Sequence, residues 1–322
     1  MNEWSTTPAL SRGMLDTAGH RRRDTEWLAA AWADPRTRVL VLERGDIREH
    51  GWPALLAKQS RALISTGTDQ PELVFRSPDQ APGGERYLLG EDGEGRAYFA
   101  VRAEQGVELE EGPETKITSL RDVGALLSGR DSGLLTHAVA VANWHAGHGF
   151  CPRCGSPTRI EAAGHVRICE NDGSEQFPRM DPAVIMLVHR TVDGVEQCLL
   201  AHNPNWADNR YSILAGFVEP GESLEHAVVR EVAEEVGVAV DEPVYLGSQP
   251  WPFPRSLMLG YFARAVGTAP RTDLEEITDV RWLSREELAA AAESGEILLP
   301  GPVSIARKLL ERWYGGELPG GW

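Results

Sequence analysis

The stretch Gly216-Phe217-Val218-Glu219-Pro220-Gly221-Glu222, continued by Arg230-Glu231-Val232-Ala233-Glu234-Glu235-Val236-Gly237-Val238, decides how the C-terminal half of the chain is read. A helix is expected from about Ser223 to Val236, closed by Gly237. At ~100° per residue, Glu231, Glu234 and Glu235 share one face, and Val228, Val232 and Val236 form the adjoining apolar stripe that docks it. Glu231 and Glu235 are a like-charge pair one turn apart, which costs a few tenths of a kcal/mol. Arg230 can reach Glu234, but no Lys or Arg sits one turn from Glu231 or Glu235. A cation from outside the chain would relieve the repulsion, and hard carboxylate oxygens suit Mg²⁺ or Mn²⁺. The competing reading is a plain solvated acidic face.

On either side of this helix, strand and helix signals alternate. Ala183–Val188 and Gln197–Ala201 flank Asp193-Gly194, a tight-hairpin signature. A strand is expected over Tyr211–Val218, and further strands near Val244–Leu246, Leu257–Val266 and Val280–Trp282. Helices are expected over Arg285–Glu293 and from about Pro302 to Tyr314. In the N-terminal half, Arg38–Leu42 reads as a strand, and Arg86–Leu89 with Arg96–Val101 as a hairpin around Glu91-Asp92-Gly93. Asp131–His145 reads as a helix. Nothing before residue 120 carries a recognisable chemical constellation. The expected organisation is an N-terminal α+β domain (1–147), a short cysteine-bearing segment (148–180), a C-terminal α/β/α sandwich on a mixed sheet (181–314) and a frayed tail (315–322).

A chain of 322 residues with 42% hydrophobic and 25% charged residues is long enough for about two domains, each with a core. Its net charge of −16 argues against a broad basic face for nucleic acid, so any phosphate-bearing substrate is expected to be met by metal ions. No apolar run approaches the ~18 residues of a membrane span. Arg21-Arg22-Arg23 suggests a twin-arginine export signal, but Asp24, Glu26 and Asp34 crowd the apolar stretch that follows. A cytoplasmic protein is expected.

Cys151, Cys154 and Cys169 lie within twenty residues, whereas Cys198 sits in an apolar run and reads as buried core. Cys151-Pro152-Arg153-Cys154-Gly155 is half of a zinc knuckle. The second half is Cys169-Glu170-Asn171-Asp172, with aspartate at the fourth position; His165 and His148 are rival fourth ligands, and a metal-free ribbon is the alternative.

The acidic segment matches G-x5-E-x7-R-E-U-x-E-E-x-G-U (U aliphatic) at Gly216, Glu222, Arg230, Glu231, Val232, Glu234, Glu235, Gly237 and Val238. It resembles the Nudix box. Downstream, Ser248-Gln249-Pro250-Trp251-Pro252-Phe253-Pro254-Arg255-Ser256 reads by itself as a rigid connection between strands with its aromatics packed in a core. Beside the box it resembles the S-Q-P-W-P-F-P-x-S array of NADH pyrophosphatases, and the resemblance spans Cys151 to about Arg312.

That resemblance implies Glu231 and Glu235 as ligands of Mg²⁺ or Mn²⁺, with Ala215 through its carbonyl and Glu276 as further ligands; Glu275 and Asp279 are near enough in sequence to compete with Glu276. Glu234 would ligate metal or help activate water, and Arg230 would orient a carboxylate. Phe177, Phe217, Ser248, Gln249, Pro250, Trp251, Pro252, Phe253, Pro254, Arg255, Ser256 and Ala306 would contact substrate, with Arg121 a weaker candidate. The family's second zinc pair is C-x2-C, so Asp172 departs from it. The implied activity is hydrolysis of the NAD(H) pyrophosphate to nicotinamide mononucleotide and AMP, in a homodimer that shares its site, with NAD-capped RNA as a further substrate. The alternatives are a broad ADP-ribose or dinucleotide pyrophosphatase, and a non-catalytic nucleotide- or RNA-binding module.

Overall fold

The computed structural model describes residues 7–13, 15–43, 60–267 and 276–321. It divides into two units: Arg12–Met180 with Trp251–Arg255, and Asp181–Pro250 with the chain from Ser256 onward and the residues before Arg12.

In the first unit, the Val39-Leu40-Val41-Leu42 core of β1 (Arg38–Glu43) is buried, as suits a central strand. The other strands of its sheet are β2 (Arg61–Ser65), β3 (Glu72–Leu73), β4 (Phe75–Arg76), β5 (Gly84–Glu91), β6 (Ala97–Ala103) and β7 (Thr115–Ser119). Their order is β3-β2-β1-β6-β5, with β4 on β1 and β7 on β2. β5 and β6 form the expected hairpin, and β1 runs parallel to β6. Asp92 closes that hairpin turn, its carboxylate accepting from the Glu94 and Arg96 N–H groups. Among the described residues, three α-helices belong here: α1 (Thr25–Ala33), the short α2 (Leu120–Val123) and α3 (Gly129–Gly147), whose first turn is capped by Ser128. A small antiparallel ribbon follows, of β8 (Thr158–Glu161), β9 (Val166–Cys169) and β10 (Glu175–Gln176), in the order β10-β9-β8.

The second unit is built on β11 (Asp181–Val192), β12 (Val195–His202), β13 (Leu214–Phe217), β14 (Val240–Trp251), β15 (Ser256–Ala265) and β16 (Asp279–Ser284). The sheet order is β14-β15-β11-β12-β16, with β13 on β11. β11 and β15 are parallel and the other pairings of β11 antiparallel, so the sheet is mixed. Asp193 and Gly194 both take positive φ (51° and 81°), the requirement of a two-residue hairpin turn.

Period-two alternation along β11 feeds two cores. Val184, Met186 and Val188 face α4 (Leu224–Val236) and its Ala227, Val228, Val232 and Val236. Ile185 and Leu187, with Cys198, face α5 (Arg285–Ser294) and α6 (Ile305–Tyr314). Helices therefore cover both faces, and the expected sandwich forms. Each fully buried valine of the α4 stripe contributes about 1.5–3 kcal/mol. That outweighs the few tenths of a kcal/mol of like-charge cost on its acidic face.

Three local expectations change. The strand over 211–218 shortens to Leu214–Phe217, with Ser212 held to Ala201 by an isolated bridge. The last helix begins at Ile305, where the Ser304 side chain accepts from the Ala306 N–H. The described residues 315–321 are not frayed: Leu318 is buried, and the Arg307 guanidinium donates to the Leu318 and Gly320 carbonyls.

Candidate active site

Ser223 caps α4 by accepting from the His226 N–H, and Gly237 ends the helix in the left-handed conformation (φ 66°). The caps and the valine stripe fix the helix, and so fix where its carboxylates point. Glu235 is buried (8% exposed), Glu231 is largely covered (13%) and Glu234 reaches solvent (61%).

Arg230 organises the loop and the helix together. Its Nε and Nη2 grip both oxygens of Glu222 at 2.8 Å, and Nη2 also donates to the Phe217 carbonyl at 2.9 Å. Nη1 donates to Glu231 at 2.8 Å and to Glu234 at 2.9 Å. All five guanidinium N–H donors are thereby used, a planar arrangement that lysine could not reproduce. This corrects the expectation that no cation relieves Glu231, since the neighbour in sequence does so. The Glu222 carboxyl is held down to about 2, chiefly by its hydrogen bonds to Arg230. The motif marks Glu222 as a fixed position without showing its task; its spacing of eight residues from Arg230 is the signal that points to the pairing.

Even so, Glu231 titrates above the ordinary carboxylate range. Burial is the main cause, opposed by Arg230 and reinforced by the negative charges of Glu234 and Glu276. Glu276 therefore belongs to this electrostatic neighbourhood. Of its rivals, Asp279 is engaged by the Tyr211 hydroxyl and by Arg281 at 3.1 Å, and Glu275 lies outside the described residues.

The backbone of β13 makes room for the acids. A Cβ built on Gly216 would lie 1.9 Å from the Glu231 carboxyl carbon, so only glycine admits this approach. Ala215, beside it, pairs in register with Ile185. Covered carboxylates one helical turn apart, with an excess of negative charge, fit a divalent cation.

The Pro-rich segment divides. Gln249 is completely buried; its Oε1 accepts from the Leu10 N–H at 3.5 Å and its Nε2 donates to the Val303 carbonyl at 3.0 Å. It ties this unit together instead of offering its amide to solvent. The Ser248 carbonyl accepts from Ser11 Oγ, Pro250 is half-buried, and Ser256 pairs with Asp181 in the sheet. In the other unit, half-buried Trp251 meets buried Phe253 edge to face at 4.8 Å. Arg121 lies over both rings, 5.1 Å from Trp251 and 4.6 Å from Phe253, and its Nε is buried without a hydrogen-bond partner. The Asn143 amide donates to the Pro252 and Pro254 carbonyls, and Arg255 is half-buried. Phe217 and Phe177 are about half exposed (53% and 49%), while Ala306 is buried.

The ribbon contains two matching turns. Gly155 N–H donates to the Cys151 carbonyl at 2.9 Å, and Gly173 N–H to the Cys169 carbonyl at 3.0 Å, both glycines having φ near 70°. Cys151 N–H donates to Ser156 and Cys169 N–H to Ser174 in the same pattern. Asp172 thus occupies in the second turn the place Cys154 occupies in the first. The ligand atoms of Cys151, Cys154, Cys169 and Asp172 lie within 4.8 Å of one another, a set that fits Zn²⁺. Asp172 accepts from the Ser174 N–H and hydroxyl, which helps to hold its carboxyl down to about 2. His165 is not a ligand: it is buried with Nε2 on the Leu88 carbonyl, and His148 Nδ1 is on the Trp144 carbonyl.

Comparison with known proteins agrees with this geometry. The NUDIX domain family matches residues 163–299, the NADH pyrophosphatase zinc ribbon domain 146–177, and the NADH pyrophosphatase-like rudimentary NUDIX domain 31–144. The chain is 38% identical over 321 residues to a Mycobacterium bovis protein named NAD-capped RNA hydrolase NudC, covering 97% of this chain and 96% of the relative. The chain belongs to the NADH pyrophosphatase family of Nudix hydrolases. The human NAD-capped RNA hydrolase NUDT12 is 39% identical over 349 residues, 94% of this chain and 72% of that protein. Nudix hydrolases work with Mg²⁺ or Mn²⁺, and the family's zinc ribbon domain covers the segment in which Cys151, Cys154, Cys169 and Asp172 form a group that could hold a metal ion.

Proposed function

We propose that this NADH pyrophosphatase family member hydrolyses the pyrophosphate of NAD(H), giving nicotinamide mononucleotide and AMP, and removes NAD caps from RNA by the same cut. The observation that carries the reading is the acid cluster of α4: Arg230 holds Glu231 and Glu234, Glu231 lies against the bare backbone of Gly216, and Glu235 is buried one turn on from Glu231. Water adds to one phosphorus atom, the bridging P–O bond breaks, and each half leaves as a phosphate monoester. Divalent cations would neutralise the pyrophosphate oxygens and lower the pKa of the attacking water. We assign Glu231, Glu235, Glu276 and the Ala215 carbonyl to holding them. Glu234, the most exposed of the three helix acids, would handle the proton of the attacking water, and Arg230 fixes the geometry.

For substrate recognition we assign the bases to the half-exposed Phe177 and Phe217 and to the partly buried Trp251, with the remainder of 248–256 and Ala306 as their supports. We place the domain limits at 147, 180 and 314, and the protein in the cytoplasm as a homodimer. No described helix is long and apolar enough to cross a membrane. The test is incubation of pure protein with Mg²⁺ or Mn²⁺ and, in parallel, NADH, NAD⁺, ADP-ribose, diadenosine compounds and NAD-capped RNA, with products identified by mass. AMP and nicotinamide mononucleotide from NAD(H), and 5′-monophosphate RNA from capped RNA, are expected. Preference for ADP-ribose by kcat/KM would replace this reading with the broader one.

A further inference from the structure

The triple arginine Arg21-Arg22-Arg23 has no part in the acidic site, yet two of its members line a cavity of about 420 Å³ in the N-terminal unit. Arg86 lines it from β5, and the turn at 162–164 closes another side. That turn presents Ala162, Ala163 and Gly164, all with positive φ (48°, 49° and 94°) and none with a side chain larger than a methyl group. The wall there is mostly backbone.

The charge accounting around the cavity is uneven. Glu161, the one acid of the lining, is engaged by Arg159 at 3.1 Å, and Arg23 is engaged by Glu175 at 2.7 Å. Arg86 lies over the Trp32 ring at 3.9 Å, which holds the guanidinium without neutralising it. Arg22 donates to the Thr17 carbonyl at 3.4 Å, and its Nε is buried without a hydrogen-bond partner. Among the described residues neither Arg22 nor Arg86 forms an ion pair with a carboxylate. In a chain of net charge −16, two guanidinium groups kept from acids and turned to one cavity are an uncompensated positive site. Burial also holds Arg22 below the ordinary guanidinium range, and its charge helps to keep His137 and His165 neutral.

We propose that this cavity binds a phosphate oxyanion, with Arg22 and Arg86 as its cationic walls. A planar fork of N–H donors matches phosphate oxygens, and the cavity has room for a nucleotide-sized group. The phosphate can come from a free mononucleotide or from an RNA chain, and both present the same oxygens. This site stands apart from the pyrophosphatase reading and does not depend on it.

The test is calorimetric titration of the full chain carrying Glu235→Gln, without added Mg²⁺ or Mn²⁺, using inorganic phosphate, AMP and a 5′-phosphorylated oligoribonucleotide. At least one should bind, and Arg22→Met and Arg86→Met should each weaken that binding about tenfold or more. NADH turnover of either substitution in the otherwise native chain should be unchanged. Arginine-dependent binding of AMP and phosphate identifies a free nucleotide as the source; dependence confined to the oligonucleotide identifies RNA. Arg86 is exposed, so its variant remains informative if Arg22→Met fails to fold. Absence of binding by all three probes, or binding that neither substitution weakens, overturns the proposal.

Discussion

The Glu231 carboxylate lies against Gly216 so closely that a Cβ at 216 would approach its oxygens to 2.1 and 2.2 Å. Gly216→Ala must therefore move either the β13 backbone or the carboxylate. Because β13 is pinned to β11 in register, the side chain is expected to yield. The variant should fold, need much higher Mg²⁺ or Mn²⁺ and lose turnover, as measured by metal titration of activity. Glu235→Gln keeps the helix and removes a covered charge, and should lower kcat by ~10²-fold or more. Near-native turnover of Glu235→Gln at saturating metal would sink the assignment.

Trp251 is partly buried, and its ring is met by Phe253 edge to face and by Arg121. If its ring stacks on a base, Trp251→Ala should cost about 1–3 kcal/mol in substrate binding, seen as a raised KM. Arg121→Met should produce a smaller effect in the same direction, because it removes a cation–π contact of about 0.5–2 kcal/mol that sets the ring's angle. A large drop in Tm with KM unchanged for both would assign the pair to packing alone.

The mixed ligand set of the ribbon predicts weak zinc. A carboxylate contributes less than a thiolate to a structural site, so chelators should strip the native protein faster than Asp172→Cys. Alkylation reads the same event: zinc should shield Cys154, which is exposed, and removal should open it to iodoacetamide. Cys198 should stay unlabelled throughout, being buried with its thiol pushed up to about 12. Full zinc occupancy surviving chelation would count against the carboxylate as the weak point.

Two buried histidines predict acid sensitivity of the N-terminal unit. His145 donates from Nε2 to the Gly164 carbonyl and accepts from Arg167 at Nδ1, which requires the neutral ring. Burial lowers both His145 and His165 to about 4. Between about pH 6.5 and 4 the unfolded chain binds protons that the folded chain refuses, so stability is present at neutral pH and declines as pH falls. The limiting slope is about 1.4 kcal/mol per pH unit for each histidine. Melting curves from pH 7 to 4 should show this, and His145→Gln should flatten the profile; an unchanged slope in that variant would remove His145 from the account.

How far the sequence could be read depended on the range of the interactions involved. The α4 stripe, the Asp193-Gly194 turn and the period-two strands β11 and β12 are local patterns, and each formed where its pattern lay. The parallel pairing of β1 with β6 joins strands about sixty residues apart in the chain, and no local periodicity announces such a partner. Gln249 shows the same limit at the site. Its motif marks it as polar and near substrate, but its burial is set by Leu10 and Val303, which no spacing rule connects to it. Asp172 was legible because a knuckle repeats at fixed offsets. The triple arginine was not, since the cavity it lines is closed by residues 162–164.

The tie between Leu10 and Gln249 has a consequence for biosynthesis. The two residues are separated by 239 positions, and Ser11 meets Ser248 across 237. At ~5–20 residues per second, a ribosome needs about 10–50 s to supply the second partner after the first. Throughout that interval the opening segment lacks these partners, and the Nudix unit can complete itself only when nearly the whole polypeptide has emerged. The N-terminal sheet, encoded contiguously, can thus be laid down early, whereas each unit is complete only after the segment 248–255 has been made.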